Sequence, residues 1–159
     1  MPDPETLNAG ASATVSTATV VRRVEWVDTD ASGHQHNGII MRMVEAAEAV
    51  LMADAGILAE YFWSAPRVRQ EINFSGLLYF GQEVSTTIVV ERLGRKSITF
   101  SFEVWGETWN EAHRRLAASG EVVAAHVPVG KERSEPWPET IFHALTPRKP
   151  KNLTTTTRE

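Results

Sequence analysis

The chain has 159 residues, a formal net charge of -4 and no cysteine. That length suits one domain with a full core, and the mild acidity gives no attraction for nucleic acid or an anionic membrane. The lack of thiols excludes a disulfide framework and cysteine chemistry.

Residues 1–18, MPDPETLNAGASATVSTA, have neither the basic start nor the apolar segment of a signal peptide, so a cytoplasmic protein is expected. Rich in Ala, Ser and Thr, they read as a flexible arm. A strand is predicted over Thr19 to Val27, where valines alternate with Arg and Glu. It feeds a polar loop, DTDASGHQHN, in which Asp28, Asp30, His34 and His36 fall within nine residues. A long helix follows. Ile40, Met43, Val44, Ala47, Val50 and Leu51 form one apolar stripe, and Ile39, Met41, Ala46, Ala49 and Met52 cover much of the remaining circumference. Such a helix is buried on most sides, yet it is too short and too charged to span a bilayer. Asn37 is expected to cap its start and Gly56 to close its end.

An aromatic connection, Tyr61 to Ala65, leads into alternation from Pro66 onward, with Val68, Ile72 and Phe74 on one side and Arg67, Arg69, Glu71 and Asn73 on the other. This predicts a half-buried strand. Val84, Thr86, Ile88 and Val90 alternate with polar residues up to a turn at Leu93 to Lys96, and Ile98, Phe100, Phe102 and Val104 alternate beyond it. Leu116 to Val127 is apolar on both faces, as a central or interface strand would be. After Pro128 proline and charge return. Within this extension, residues 129–159, Ile141 to Leu145 reads as a docking segment and KPKNLTTTTRE as a disordered tail. The order of strand, long apolar helix and four closely spaced strands is an α+β pattern, an antiparallel sheet wrapped around one central helix.

This order resembles the hotdog fold, and DTDASGHQHN is similar to the D-x-D-x-x-G-[HV]-x-x-[NH] signature of the hydroxybenzoyl-CoA and acyl-CoA thioesterase family. The resemblance covers roughly residues 19–128. It implies hydrolysis of an acyl thioester of coenzyme A or of acyl carrier protein, in a homodimer or homotetramer with sites between protomers. It makes Asp30 the catalytic carboxylate, as nucleophile or general base, with the amides near Asn37 and Gly38 holding the thioester oxygen and His34 taking part. Glu45 falls where the family's central helix carries a glutamate.

The residues support that chemistry in their own right. A thioester carbonyl needs an attacking oxygen and donors aimed at the developing oxyanion, and amides at a helix start supply such donors. Burial would raise the pKa of Asp30 and the helix start would lower it. An aspartate before a helix is also a common cap or turn former, and His34 and His36 can equally be hydrogen-bonding loop residues. Asp28 is expected to anchor the loop through backbone amides, and Glu45, an odd carboxylate in an apolar helix, to bond the loop instead of reacting. Arg95 and Lys96, with Arg92, form a basic turn suited to the phosphates of coenzyme A, or else a solvated hairpin tip. Trp26, Phe62, Trp63 and Trp105 are candidates to line an acyl pocket or to fill the core.

No nucleotide-binding glycine pattern is present, so no cofactor is expected. A two-His, one-carboxylate metal site is the minor reading. An EF-hand is excluded, because the twelfth position counted from Asp28 is Ile39. Two other functions fit the same fold: a non-hydrolytic protein that binds an acyl thioester or its product, and a dehydratase.

Overall fold

The structure is a computed structural model and describes residues 16–146. Its strands are β1 (Thr17–Arg23), β2 (Arg67–Phe74), β3 (Glu83–Leu93), β4 (Ser97–Gly106) and β5 (Arg115–Ala125). They form one antiparallel sheet in the order β1-β3-β4-β5-β2. The helices are α1 (Ile39–Asp54), α2 (Leu58–Phe62) and α3 (Glu139–Leu145). α1 lies across one face of the sheet against β1, β3 and β4, which is the α+β hotdog arrangement.

The alternating strands form as their patterns predict. Val84, Thr86, Ile88 and Val90 of β3 and Ile98, Phe100, Phe102 and Val104 of β4 are all buried, facing Ile40, Met43, Val44, Ala47 and Leu51 of α1. β1 is shorter than expected. It ends at Arg23, because the Asp28 carboxylate accepts the Glu25 amide at 2.9 Å and winds Trp26–Asp28 into a single 3-10 turn.

The ends of α1 follow two different rules. At its C-terminus Gly56, at φ +74°, supports paired bonds from its own amide to Ala53 and from the Ile57 amide to Met52, a Schellman closure. At its N-terminus Asn37 does not cap. The N-cap residue is Gly38, and His36 serves the helix start instead, its carbonyl accepting the Ile39 amide at 3.2 Å and its Nδ1 the Gly38 amide at 3.1 Å.

β2 departs from the half-buried strand that its alternation predicts. It is an edge strand, with Val68 and Phe74 exposed. A bulge at Val68 shifts the register between Arg67 and Arg69, so Arg67 turns to the inner face, opposite inward-facing Ala124. β5 lies inside the sheet, paired on both sides, which explains apolar residues on both of its faces. The chain beyond Pro128 folds back onto the same core. Trp137 is buried against Tyr61 and His126, at centroid distances of 6.0 and 4.9 Å, and Ile141 and Leu145 are fully buried in α3. The flexible arm falls almost wholly, and the disordered tail entirely, outside the described residues.

Candidate active site

The loop before α1 is a small hairpin. The His36 amide donates to the Asp28 carbonyl, the Asp30 amide to the His34 carbonyl, and the Gly33 amide to the Asp30 carbonyl, all at 3.0–3.1 Å. This leaves Ala31–Gly33 as a three-residue tip, and Gly33 takes the left-handed position at φ +85°. Nothing lies within 4 Å of a Cβ built at Gly33, so backbone conformation and not crowding calls for glycine. Gln35 fixes the hairpin to the chain after β2. Buried itself, it accepts the Leu78 amide through Oε1 at 2.6 Å and donates its own amide to the Leu78 carbonyl at 3.0 Å. Asp28, also buried, anchors the base through Glu25 and pairs with Arg42 at 3.3 Å.

At the tip, one Asp30 oxygen is engaged and the other is free. Oδ1 accepts the Ser32 amide at 2.8 Å and the Ser32 hydroxyl as well, whereas Oδ2 has no partner among the described residues. These bonds from Ser32, with smaller help from His34 and His36, hold the Asp30 carboxyl below the ordinary carboxylate range. Burial opposes them only weakly, because the group is exposed.

An ionised carboxylate only accepts hydrogen bonds, so the Ser32 hydroxyl must donate to Asp30. Its oxygen then accepts from His34 Nδ1, 2.7 Å away. The chain of bonds thus runs from His34 through Ser32 to Asp30 and leaves His34 Nε2 without a partner among the described residues. His36 has the opposite tautomer, since its Nδ1 accepts the Gly38 amide.

Asp30, Ser32, His34 and Asn37 line one cleft of about 460 Å³, together with Phe74 and Arg115 among others. The Asn37 amide has no partner among the described residues, while the Gly38 amide is occupied by His36. Of the two amides expected to face an oxyanion, the structure therefore leaves Asn37 available. Among the described residues, no three His, Cys, Asp or Glu side chains gather as metal ligands.

Two expected members stand apart from this group. Glu45 does not bond the loop: its side chain is more than half exposed, and its one ionic neighbour is Arg67 at 4.0 Å. The buried carboxylate of α1 is Glu48, one turn on, which accepts from Tyr61 Oη at 2.7 Å and from Arg67 at 2.6 Å. The Tyr61 hydroxyl is accordingly pushed well above its usual pKa, first by burial and then by Glu48. Arg95 and Lys96 lie at the far end of the β3–β4 hairpin. The register pairs Leu93 with Ile98 beside their turn and Val84 with Gly106 at the other end, where the loop residues meet Leu78 and Tyr79. At their own end, the Arg95 carbonyl accepts the Trp137 amide, and Lys96 Nζ donates to the Ser134 carbonyl at 3.1 Å.

A model of the thioesterase-like superfamily matches residues 24–145, which takes in the hairpin, α1, the sheet from β2 to β5 and α3. The chain belongs to the thioesterase-like superfamily. No curated protein matches it. Among solved structures, this superfamily member is similar to 4-hydroxybenzoyl CoA thioesterase from Pseudomonas sp. strain CBS-3, with a TM-score of 0.71 at 15% identity over 81% of this chain and 99% of the other. It is also similar to a 1,4-dihydroxy-2-naphthoyl-CoA thioesterase from Synechocystis, with a TM-score of 0.68 at 17% identity over 81% and 95%. A predicted thioesterase from Bacillus stearothermophilus gives 0.68 at 25% identity over 82% and 94%. At such identities the likeness to the two CoA thioesterases is one of fold.

Ser32, Gln35, Glu48 and Arg115 were not singled out by the sequence reading of this thioesterase-like chain. Ser32 had a local signal, since Asp-Ala-Ser-Gly is turn chemistry in which a side-chain oxygen bonds an amide two residues on. The other three are placed by partners distant in sequence.

Proposed function

We propose that the protein hydrolyses an acyl thioester of coenzyme A or of acyl carrier protein, releasing a free acid and a thiol. The observation that carries this reading is an ionised Asp30 with a free Oδ2, lining the same cleft as an Asn37 residue whose amide has no partner. In this reading Asp30 is the general base. Oδ2 takes a proton from water as the water oxygen adds to the thioester carbon, and the Asn37 amide donates to the oxyanion that forms. Collapse of the intermediate breaks the carbon–sulfur bond, and the departing sulfur receives the proton. His34, fixed by Ser32 with Nε2 free, orients the water or shares its proton. Superfamily membership and the fold of the CoA thioesterases support the substrate class.

Direct attack by Oδ2 on the thioester is the competing route, through an anhydride between Asp30 and the acyl group. Single turnovers in ¹⁸O-water test it: label in the Asp30 carboxyl shows an anhydride hydrolysed at Cγ of Asp30, whereas the general-base route labels the product and leaves Asp30 unlabelled.

The functional unit we propose is a symmetric homodimer or homotetramer. β2 is an edge strand with unpaired backbone groups and exposed Val68 and Phe74, and the cleft opens beside its end. Cover from a second copy would bury both. Glu45, Arg95 and Lys96 would contribute to such a cleft only from that second copy. The proposal is tested by free thiol release from a panel of short, long and aromatic acyl-CoAs. Release from none of them, with binding retained, would favour the non-hydrolytic alternative.

A further inference from the structure

The cleft holds a cation that the hydrolytic reading does not use. Arg115, the first residue of β5, lines it together with Asp30, yet forms no ion pair or side-chain hydrogen bond among the described residues. Its neighbour Arg114 has partners, its Nε donating to Glu107 at 3.0 Å and its guanidinium stacking over Trp105 at 4.3 Å. The contrast extends to the seat of the side chain. The Arg115 guanidinium lies on Gly76, where a built Cβ would meet Nε at 2.6 Å, the Leu116 carbonyl oxygen at 2.8 Å and Nη2 at 2.9 Å. The Leu116 carbonyl is what calls for glycine there, and the guanidinium packs against the open face that results. That seat is held in place, because the Ser75 and Gly76 amides both donate to the Ala117 carbonyl, at 2.8 and 3.1 Å.

We infer that Arg115 is an anion-recognition residue, binding a carboxylate or phosphate oxygen group of the substrate while the thioester sits at Asp30. A guanidinium offers paired donors matched to such groups, and this one faces a cleft whose only carboxylate lining residue, Asp30, is tied to Ser32 through Oδ1. The inference rests on the proposed hydrolysis for its assay and adds to it a substrate chemistry. The anion is either a second carboxylate at the far end of the acyl chain or a phosphate of coenzyme A.

Four substrates separate these sources: hexanoyl and adipoyl thioesters, each on coenzyme A and on pantetheine, which lacks phosphate. Steady-state kinetics are compared for wild type, Arg115→Gln and Arg115→Lys. If the acyl carboxylate is bound, Arg115→Gln raises KM for adipoyl-pantetheine about 10- to 100-fold, leaves hexanoyl-pantetheine unchanged, and Arg115→Lys restores part of the loss. If phosphate is bound, the same loss follows coenzyme A whatever the acyl group. An equal change for all four substrates, or no change for any, overturns the assignment.

Titration calorimetry with adipate and with coenzyme A keeps the two readings distinct. Binding that depends on Arg115 in a protein that hydrolyses none of the four sustains the anion site and removes the hydrolase. Hydrolysis without any Arg115 dependence does the reverse.

Discussion

Replacing Glu48 by Gln should destabilise the protein far more than the same change at Glu45. Glu48 is 1% exposed, and its two oxygens accept from Tyr61 and Arg67 at 2.7 and 2.6 Å. A glutamine there keeps one acceptor but turns an amide N–H₂ toward a donor and removes the charge opposite Arg67. That guanidinium already has a buried Nη1 without a partner among the described residues. Breaking a fully buried ion pair costs roughly 3–5 kcal/mol. The Arg67 side chain is 20% exposed and reaches some water, so about 2–3 kcal/mol is expected. For a domain of this size that lowers Tm by about 10 °C. Glu45, at 4.0 Å from Arg67 and mostly exposed, should cost no more than about 0.5 kcal/mol. Calorimetric melting at one fixed protein concentration measures both, since melting of an oligomer depends on concentration. A Glu48→Gln shift under about 2 °C, or a larger one for Glu45→Gln, would refute the assignment of Glu48 as the buried carboxylate.

Two further predictions follow from the hairpin and the edge strand. Ser32→Ala removes the largest cause that holds the Asp30 carboxyl low, so its titration should move up toward the ordinary aspartate range, and the acid limb of kcat/KM should move up in pH with it; a wild-type profile retained in the variant would show that Ser32 does not tune Asp30. Light scattering at micromolar concentration should give a dimer or tetramer, and a monomer alone would remove the proposed cover of β2.

The parts of the fold that could be read from sequence are those set by local periodicity. In β3 and β4 each inward residue is two positions from the next, and partner strands follow at once, so alternation was sufficient. At Val68 it was not, because a bulge depends on the register with β5, more than fifty residues on, and it reverses the side to which Arg67 points. Glu45 and Glu48 present the same chemistry one turn apart in an apolar helix. Which of them is buried is decided by Tyr61 and Arg67, from α2 and β2. In the loop, the Asp28 anchor was legible as turn chemistry. At the helix start, nothing in the spacing says that the His36 ring folds back onto the Gly38 amide and leaves that of Asn37 open. Arg115 pairs with Gly106 of β4 and meets the chain after β2 at Gly76, and no local pattern marks it.

The most direct test of the account is thiol release by wild type and Asp30→Asn on an acyl-CoA that the panel has shown to be a substrate. Asparagine keeps the side-chain oxygen that Ser32 needs but cannot take a proton or attack, and Asp30 is exposed, so the fold should survive unchanged. The account predicts a fall in turnover of roughly 10²-fold or more at an unchanged Tm. Equal rates for the two proteins, at equal Tm, would contradict it.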